Sequence, residues 1–274
     1  SSGEMRFRLE DTNREKWKQE YEDNIIQSMD FFLGIRVEEP TRQSERSEVY
    51  KKYLLKLIDG GFAYVSKEEP KAEGERAEVI RFKNPNRKFK WSDLILGDIE
   101  NDTTDLGDFV IAKDLDHALY HMTVVVADFE MGVTHVIRGQ DHITNTPRQI
   151  LIQEAIGAPR PFYAHIPLIL APDKTKLSER HGATAVSDYL AQGYLPQALI
   201  NFLSLIGWNP GDEREILSLD ELVKEFKLEK VHKNGAVFDV QKLNWMNKEY
   251  IKMLSEEKFL EYVLKFLPET VKEL

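Results

Sequence analysis

The chain predicts an α/β fold, interrupted by a small α+β insertion and continued by an all-helical region. Three observations carry this. The hydrophobic period changes from two to about four in the opening segment, as when a strand gives way to a helix. A middle stretch is broken into short β-like pieces by Gly, Asn and Asp. Beyond Ser187 the apolar residues keep a helical spacing to the end.

In "MRFRLED", Met5, Phe7 and Leu9 face one way and Arg6, Arg8 and Glu10 the other, a half-buried strand. From Asn13 the pattern predicts a helix through Trp17, Tyr21, Ile25, Met29 and Phe32, stopped by Gly34. A strand-like connector leads to a second helix starting near Ser44 or Ser47. Tyr50, Tyr53, Leu54, Leu57 and Ile58 form its apolar stripe, and Gly60-Gly61 stop it. "VSKEEPKAEGERAEV" is polar, with Pro70 and Gly74, and "VIRFK", "FKWSDLIL", "GDIEN" and "GDFVIAK" follow as β pieces. The α/β texture returns with "ALYHMTVVVADFEMG", the strand-like "THVIRG" and a helix at "TPRQILIQEAIG", with Pro147 in its first turn and Gly157 at its end. "AHIPLILA" reads as one buried strand, closed by a turn at Pro172-Asp173. "LPQALINFLSLIGW", "SLDELVKEF" with a capping box of Ser218 and Glu221, "KLNWMNKEYI" and "SEEKFLEYVLKFL" are helices. Pro268 is the last stop signal.

At 274 residues and 42% hydrophobic composition, two or three domains with a sizeable core are expected. No apolar stretch is long enough to span a bilayer, and "SSGEMRFRLEDT" lacks the regions of a signal peptide. Cysteine is absent, which removes thiol nucleophiles, disulfides and cysteine zinc sites and fits a cytoplasmic protein. The net charge of −10 gives no global attraction for a polyanion, so any nucleic-acid contact needs a local basic patch.

Several residues carry chemistry. Arg138 ends a predicted strand, where α/β sheets bind ligands, and suits a carboxylate or phosphate. The alternative is pairing with a local acid. Gln140, Asp141 and His142 follow it and suit ribose hydroxyls or a base. His117 and His121 have the spacing of metal ligands on one helix face, but no third ligand accompanies them, and a hydrogen-bonded or surface pair is the plainer reading. Arg6, Arg8 and Glu10 read as a solvated face, and Asp11, Thr12 and Asn13 as helix caps. "KTKLSERHGA" is a basic loop with Glu179 in its middle, a phosphate site or a solvated loop.

Taken together, "RLEDTNRE", "TRQSER", "RGQDHITNTPRQIL", "HIPLIL", "KLSERHGA", "GYLPQALINFLSLIGW" and "KLNWMNKEYI" resemble, in order and spacing, the glutamyl-tRNA synthetases of the bacterial type. The resemblance covers essentially the whole chain. It implies a class I Rossmann-like nucleotide-binding fold over 1–46 and 117–160, lacking its first strand and helix. It further implies an acceptor-binding insertion at 47–116, the KMSKS-type loop and stem-contact domain at 161–252, and the start of the anticodon-binding helices at 253–274. By the same resemblance Glu10, Tyr120 and Arg138 hold substrate glutamate, Asp141 and His142 face ATP, and Lys176, Ser178 and Arg180 belong to the loop over the phosphates. The implied substrates are glutamate, tRNA(Glu) and ATP with Mg²⁺, in a monomer without membrane contact. Lys51, Lys52, Arg81, Lys83, Arg87, Lys88 and Lys90 are either a patch for tRNA or a solvated face.

The chain departs from the family in four ways. The upstream "HIGH" signature is missing, so a fragment truncated at both ends is expected. Glu179 replaces the loop's second lysine. One lost electrostatic contact of that kind costs about 2.7–4 kcal/mol of barrier. Gln140 and Asn13 stand where acids are usual. The insertion is short and without cysteines, so no zinc is expected. The implied activity is glutamate–tRNA ligase. The alternative is a catalytically degenerate module that binds tRNA or a protein. A third reading, an enzyme that glutamylates a tRNA base, is disfavoured because "GAVFDVQKLNWMNKEYI" leads into the anticodon region.

Overall fold

The computed structural model describes residues 6–12, 17–34, 40–68, 78–178, 180 and 185–267. Met5, Asn13, Pro70, Gly74, Glu179, His181, Gly182, Ala183 and Pro268 therefore lie outside the described residues. The chain divides into two compact units, 1–26 with 36–165, and 27–35 with 166–274.

In the first unit, β1 (Arg8–Leu9) pairs in parallel with β2 (Thr41–Arg42). Between them in sequence runs α1 (Gln19–Leu33), divided between the two units after Ile26, which stops at Gly34 with φ 64°. The apolar repeat marks this helix but not its buried face. Trp17, Tyr21 and Ile25 are exposed, at 38%, 53% and 47%. Among the described side chains of α1 the buried one is Glu22, neutralised by Arg42 at 2.5 Å. The expected alternation holds in part: Leu9 and Asp11 are buried and Arg6 and Glu10 exposed, but Arg8, expected on the exposed face, is half-buried.

α2 (Ser47–Asp59) buries Tyr50, Tyr53, Leu54 and Leu57, as its stripe predicts. It packs on an antiparallel sheet of order β3-β4-β7-β8, formed by β3 (Ala63–Lys67), β4 (Glu78–Phe82), β7 (Phe109–Asp114) and β8 (His117–Ala118). The strand at β3 is hidden in sequence because its polar tail continues into the charged stretch. A second sheet has the order β6-β5-β10-β9, from β5 (Lys88–Asp93), β6 (Gly97–Asp102), β9 (His135–Gly139) and β10 (Phe162–Ile166). Here β5 and β6 form an antiparallel hairpin, and β5 runs parallel to β10. Thus the hairpin of the expected insertion completes the sheet that carries Arg138. α3 (Tyr120–Glu130) and α4 (Thr146–Ile156) complete the core, with Met122, Val125 and Ile152 at its centre. Gly157 ends α4 with φ 73°, a left-handed conformation that a side chain would strain.

"AHIPLILA" is not one strand. It divides between β10 and β11 (Ile169–Leu170), which belong to different sheets, because Pro167 has no N–H to continue the ladder. In the second unit β11 pairs in parallel with β12 (Ala236–Val237). Around them lie α5 (Val186–Ala191), α6 (Pro196–Leu205), α7 (Leu219–Glu225), α8 (Val240–Lys252) and α9 (Glu256–Leu264). The capping box forms as predicted: Ser218 Oγ accepts from the Glu221 amide, and the Glu221 carboxylate accepts from the Ser218 amide at 2.8 Å. Leu199, Phe202, Phe238, Leu243 and Met246 make the main core of this unit.

Candidate functional site

Polar residues gather at the carboxyl ends of the strands in the first unit. Asp93 is the last residue of β5, Arg138 is near the end of β9, and His165 is near the end of β10. Glu10 follows β1 and Gln43 follows β2. In parallel sheets this rim is where chain ends leave room for a ligand.

Arg138 is the centre. Its Nε donates to His165 Nε2 at 3.1 Å and its Nη2 donates to Thr146 Oγ1 at 2.7 Å. Its guanidinium lies 5.5 Å from the centre of the Tyr163 ring. Among the described residues no carboxylate lies within ion-pair distance of it, so the expectation of a local acid partner is not met. Burial loosens its proton relative to an exposed arginine, and the fields of Tyr163, Tyr120 and Asp128 oppose this. A half-buried cation whose hydrogen-bond partners are neutral is a receptor for an anion.

Tyr120, the first residue of α3, has its hydroxyl 3.3 Å from His142 Nδ1. Burial raises its pKa, so it stays a neutral donor. Glu10 accepts from Gln43 Nε2 at 3.1 and 3.2 Å and from Arg8 Nε at 3.0 Å. Tyr50 in turn donates its hydroxyl to Gln43, and burial pushes that phenol up to about 12. Glu10, Tyr120 and Arg138 thus belong to one polar rim. His142 also faces Asn145 Nδ2 at 3.2 Å, and Asp141 folds back over Gly139, where an added Cβ would lie 2.5 Å from its Oδ1.

Several expectations need correction. Arg8 is not on a solvated face. Its side chain is 16% exposed and its Nη1 donates to Asp128 Oδ1 at 2.7 Å, across 120 residues of chain. Among the described residues Asp11 caps no helix. It accepts instead from the Ser44 amide at 2.9 Å and the Ser44 hydroxyl at 2.7 Å. Of the two readings of His117 and His121, the shared helix face of a metal pair is not formed, and the plainer one describes His117. His117 lies in β8 with Nδ1 2.7 Å from Asp114, while His121 lies in α3 with a buried Nδ1 that has no hydrogen-bond partner. Sequence reasoning missed Asp93, Thr146, His165 and Asp128. Only "HIPLIL" contained a signal, a polar residue inside an apolar run.

The loop expected to be of the KMSKS type belongs to the second unit. It turns at Pro172 and Asp173, with Asp173 Oδ1 accepting from the Thr175 amide at 2.9 Å and Lys174 at φ 65°. The chain then returns onto β11: Lys176 bridges Leu170, and the Leu177 amide donates to Ile169 O at 2.9 Å. Leu177 packs on the core, which explains an apolar residue among cations. Lys176 and Arg180 are exposed, and Arg180 Nη2 donates to Thr175 Oγ1 at 3.0 Å. Ser178 is half-buried.

The candidate tRNA patch is largely neutralised within its own unit. Lys51 pairs with Asp116, Arg81 with Glu68, Arg87 with Glu154, Lys88 with Asp102 and Lys90 with Glu100. The last two pairs are set by the β5–β6 register. Among the described residues no three His, Cys, Asp or Glu side chains converge as a metal cage, and no helix is long and apolar enough to cross a membrane.

The first unit is therefore an α/β domain whose strand ends gather polar residues around the half-buried cation Arg138. The family described as "tRNA synthetases class I (E and Q), catalytic domain" matches over residues 1–78 and 66–245, and the chain belongs to this family. It is 41% identical over 310 aligned residues to the glutamate–tRNA ligase of Carboxydothermus hydrogenoformans, covering 97% of this chain and 64% of that protein. It is 43% identical over 303 residues to that of Aquifex aeolicus, with the same coverages, 97% and 64%. The alignments exceed the chain's 274 residues, so these relatives carry internal segments that it lacks. The crystal structure of a glutamate–tRNA synthetase from Elizabethkingia anophelis superposes with a TM-score of 0.85 at 30% identity, over 94% of this chain and 66% of that one. The chain spans 64% of the length of these curated relatives.

Proposed function

We propose that the chain is the catalytic part of a glutamate–tRNA ligase acting as a monomer in the cytoplasm. Glutamate, ATP with Mg²⁺, and tRNA(Glu) are its substrates. An α-carboxylate oxygen of glutamate attacks the α-phosphorus of ATP, a new P–O bond forms, and the bond to pyrophosphate breaks. A terminal ribose hydroxyl of tRNA then attacks the glutamyl carbonyl: an ester C–O bond forms, the C–O bond to AMP breaks, and the hydroxyl proton is taken up by the departing phosphate. A carboxylate nucleophile needs no general base, so the protein's task is alignment and charge stabilisation. The single observation that carries this reading is Arg138, a half-buried guanidinium beside Tyr120 with no carboxylate partner among the described residues. In this reading Arg138, Tyr120 and Glu10 hold glutamate. Asp141 and His142 face ATP, and Lys176, Ser178 and Arg180 approach the phosphates. Residues 47–116 meet the acceptor end, 161–252 carry the loop and stem contacts, and 253–274 open the anticodon region.

Glu179, at the loop position where the family has lysine, favours a second reading: a module that binds without catalysing. Pyrophosphate exchange with glutamate, ATP and tRNA, set beside calorimetric titration of glutamate, separates them. Exchange with glutamate and not aspartate supports the ligase. Glutamate binding without exchange selects the second reading. No glutamate binding defeats the role given to Arg138.

A further inference from the structure

Behind Arg138 stands an acid–imidazole pair with no solvent exposure: the side chains of Asp93 and His165 are both at 0%. Asp93 Oδ1 accepts from the amides of Ile95 and Leu96 at 2.9 Å and from the amide of His165 at 3.3 Å. Its Oδ2 lies 2.7 Å from His165 Nδ1. A carboxylate held by so many donors is an acceptor only, so the imidazole proton sits on Nδ1. The opposite nitrogen, Nε2, is then bare, and it meets Arg138 Nε at 3.1 Å. The Thr146 hydroxyl also lies 3.1 Å from Nε2, and an imidazolium here would set an N–H against the guanidinium, so the geometry favours the neutral Nδ1–H form.

We propose that Asp93 and His165 are positioning residues that aim Arg138 at a ligand carboxylate. This rests on the reading of Arg138 given under Proposed function. His165 occupies Nε and Thr146 occupies one Nη2 proton, so the side-on edge of the guanidinium is tied to the protein. What remains is the Nη1/Nη2 edge, a fork that matches a carboxylate in two parallel bonds. The Tyr163 ring, 5.5 Å away, limits rotation out of that plane. The anchoring acid comes from β5, within the segment expected to meet the acceptor end, which gives that hairpin a part in amino-acid binding.

Two measurements test this. Nitrogen-15 NMR of the histidines in the native chain at neutral pH should show His165 protonated on Nδ1 only. A signal for the Nε2–H form or the imidazolium overturns the proposal, and this readout needs no variant to fold. Calorimetric titration with L-glutamate should show Kd raised about 10- to 100-fold in His165→Leu and Asp93→Asn, the effect expected of a displaced binding group. Much of the loss should be recovered in His165→Gln, which restores an acceptor. A folded His165→Leu with the native Kd, beside an Arg138→Ala that has lost binding, refutes the positioning role and leaves Arg138 standing. If Arg138→Ala also binds as the native chain does, the reading of Arg138 falls and the proposal with it.

Discussion

Replacing Arg138 by lysine keeps the charge and removes the fork. In the native site Nε is committed to His165 at 3.1 Å and one Nη2 proton to Thr146 at 2.7 Å. Three of the five guanidinium N–H groups remain, enough for two parallel bonds to a carboxylate. An ammonium is a point donor on a flexible stem. It cannot hold His165 and Thr146 while presenting two bonds at carboxylate spacing. The variant therefore loses one charge-assisted bond to the ligand, about 1.5–3 kcal/mol. That is roughly 10- to 150-fold in Kd. Arg138→Gln removes the charge as well, and about 3–5 kcal/mol is expected for an ionic partner left alone. The assay is calorimetric titration of L-glutamate at fixed pH and ionic strength, with circular dichroism to confirm folding. A folded lysine variant within about threefold of the native Kd would show that no forked contact exists.

Three further outcomes are expected. Asn201 accepts from the Leu217 amide and the Tyr250 hydroxyl, each at 2.9 Å, and Tyr250 also reaches Leu217 O at 2.7 Å. Asn201→Ala orphans a buried amide and should cost about 1–3 kcal/mol, whereas Tyr250→Phe orphans no donor and should cost about 1. Urea unfolding followed by the buried Trp208 compares them, and equal losses would sink the assignment. Burial, with added repulsion from Arg148, Arg138 and His142, pushes His121 down to about 4 from 6.5. Between those values the unfolded chain binds a proton that the folded chain refuses, so stability present above 6.5 is lost as pH falls towards 4. In His121→Phe the pH slope of unfolding should flatten by about one proton, and an unchanged slope would exclude His121 as its source. Glu179→Lys should speed pyrophosphate exchange by about 10²-fold if the residue faces the phosphates. No acceleration would place it outside their path.

Legibility followed distance along the chain. Helix ends were readable because their causes are local: Gly34 and Gly157 take left-handed φ, and Ser218 and Glu221 cap each other within one turn. The stripe of α2 was readable because one face meets one core. Arg138 could be singled out because strand-end position and residue type suffice to suspect an anion site. The repeat of α1 was legible as a helix, but periodicity shows only that residues share a face, and among its described side chains the buried one is Glu22, paired with Arg42.

By itself, then, the sequence determined most of the helices and their ends, the family pattern and the residue on which a carboxylate reading rests. The tertiary structure decided what surrounds that residue. Asp93 meets His165 across 72 residues and Arg8 meets Asp128 across 120. It also decided that Pro167 divides an apolar run between two sheets, and that the basic residues of the β5–β6 hairpin are spent on cross-strand acids. The physical reason is common to all of these. Propensity, capping and turn chemistry act over a few residues, whereas a buried charge takes whatever partner the packed chain brings within about 3 Å of it.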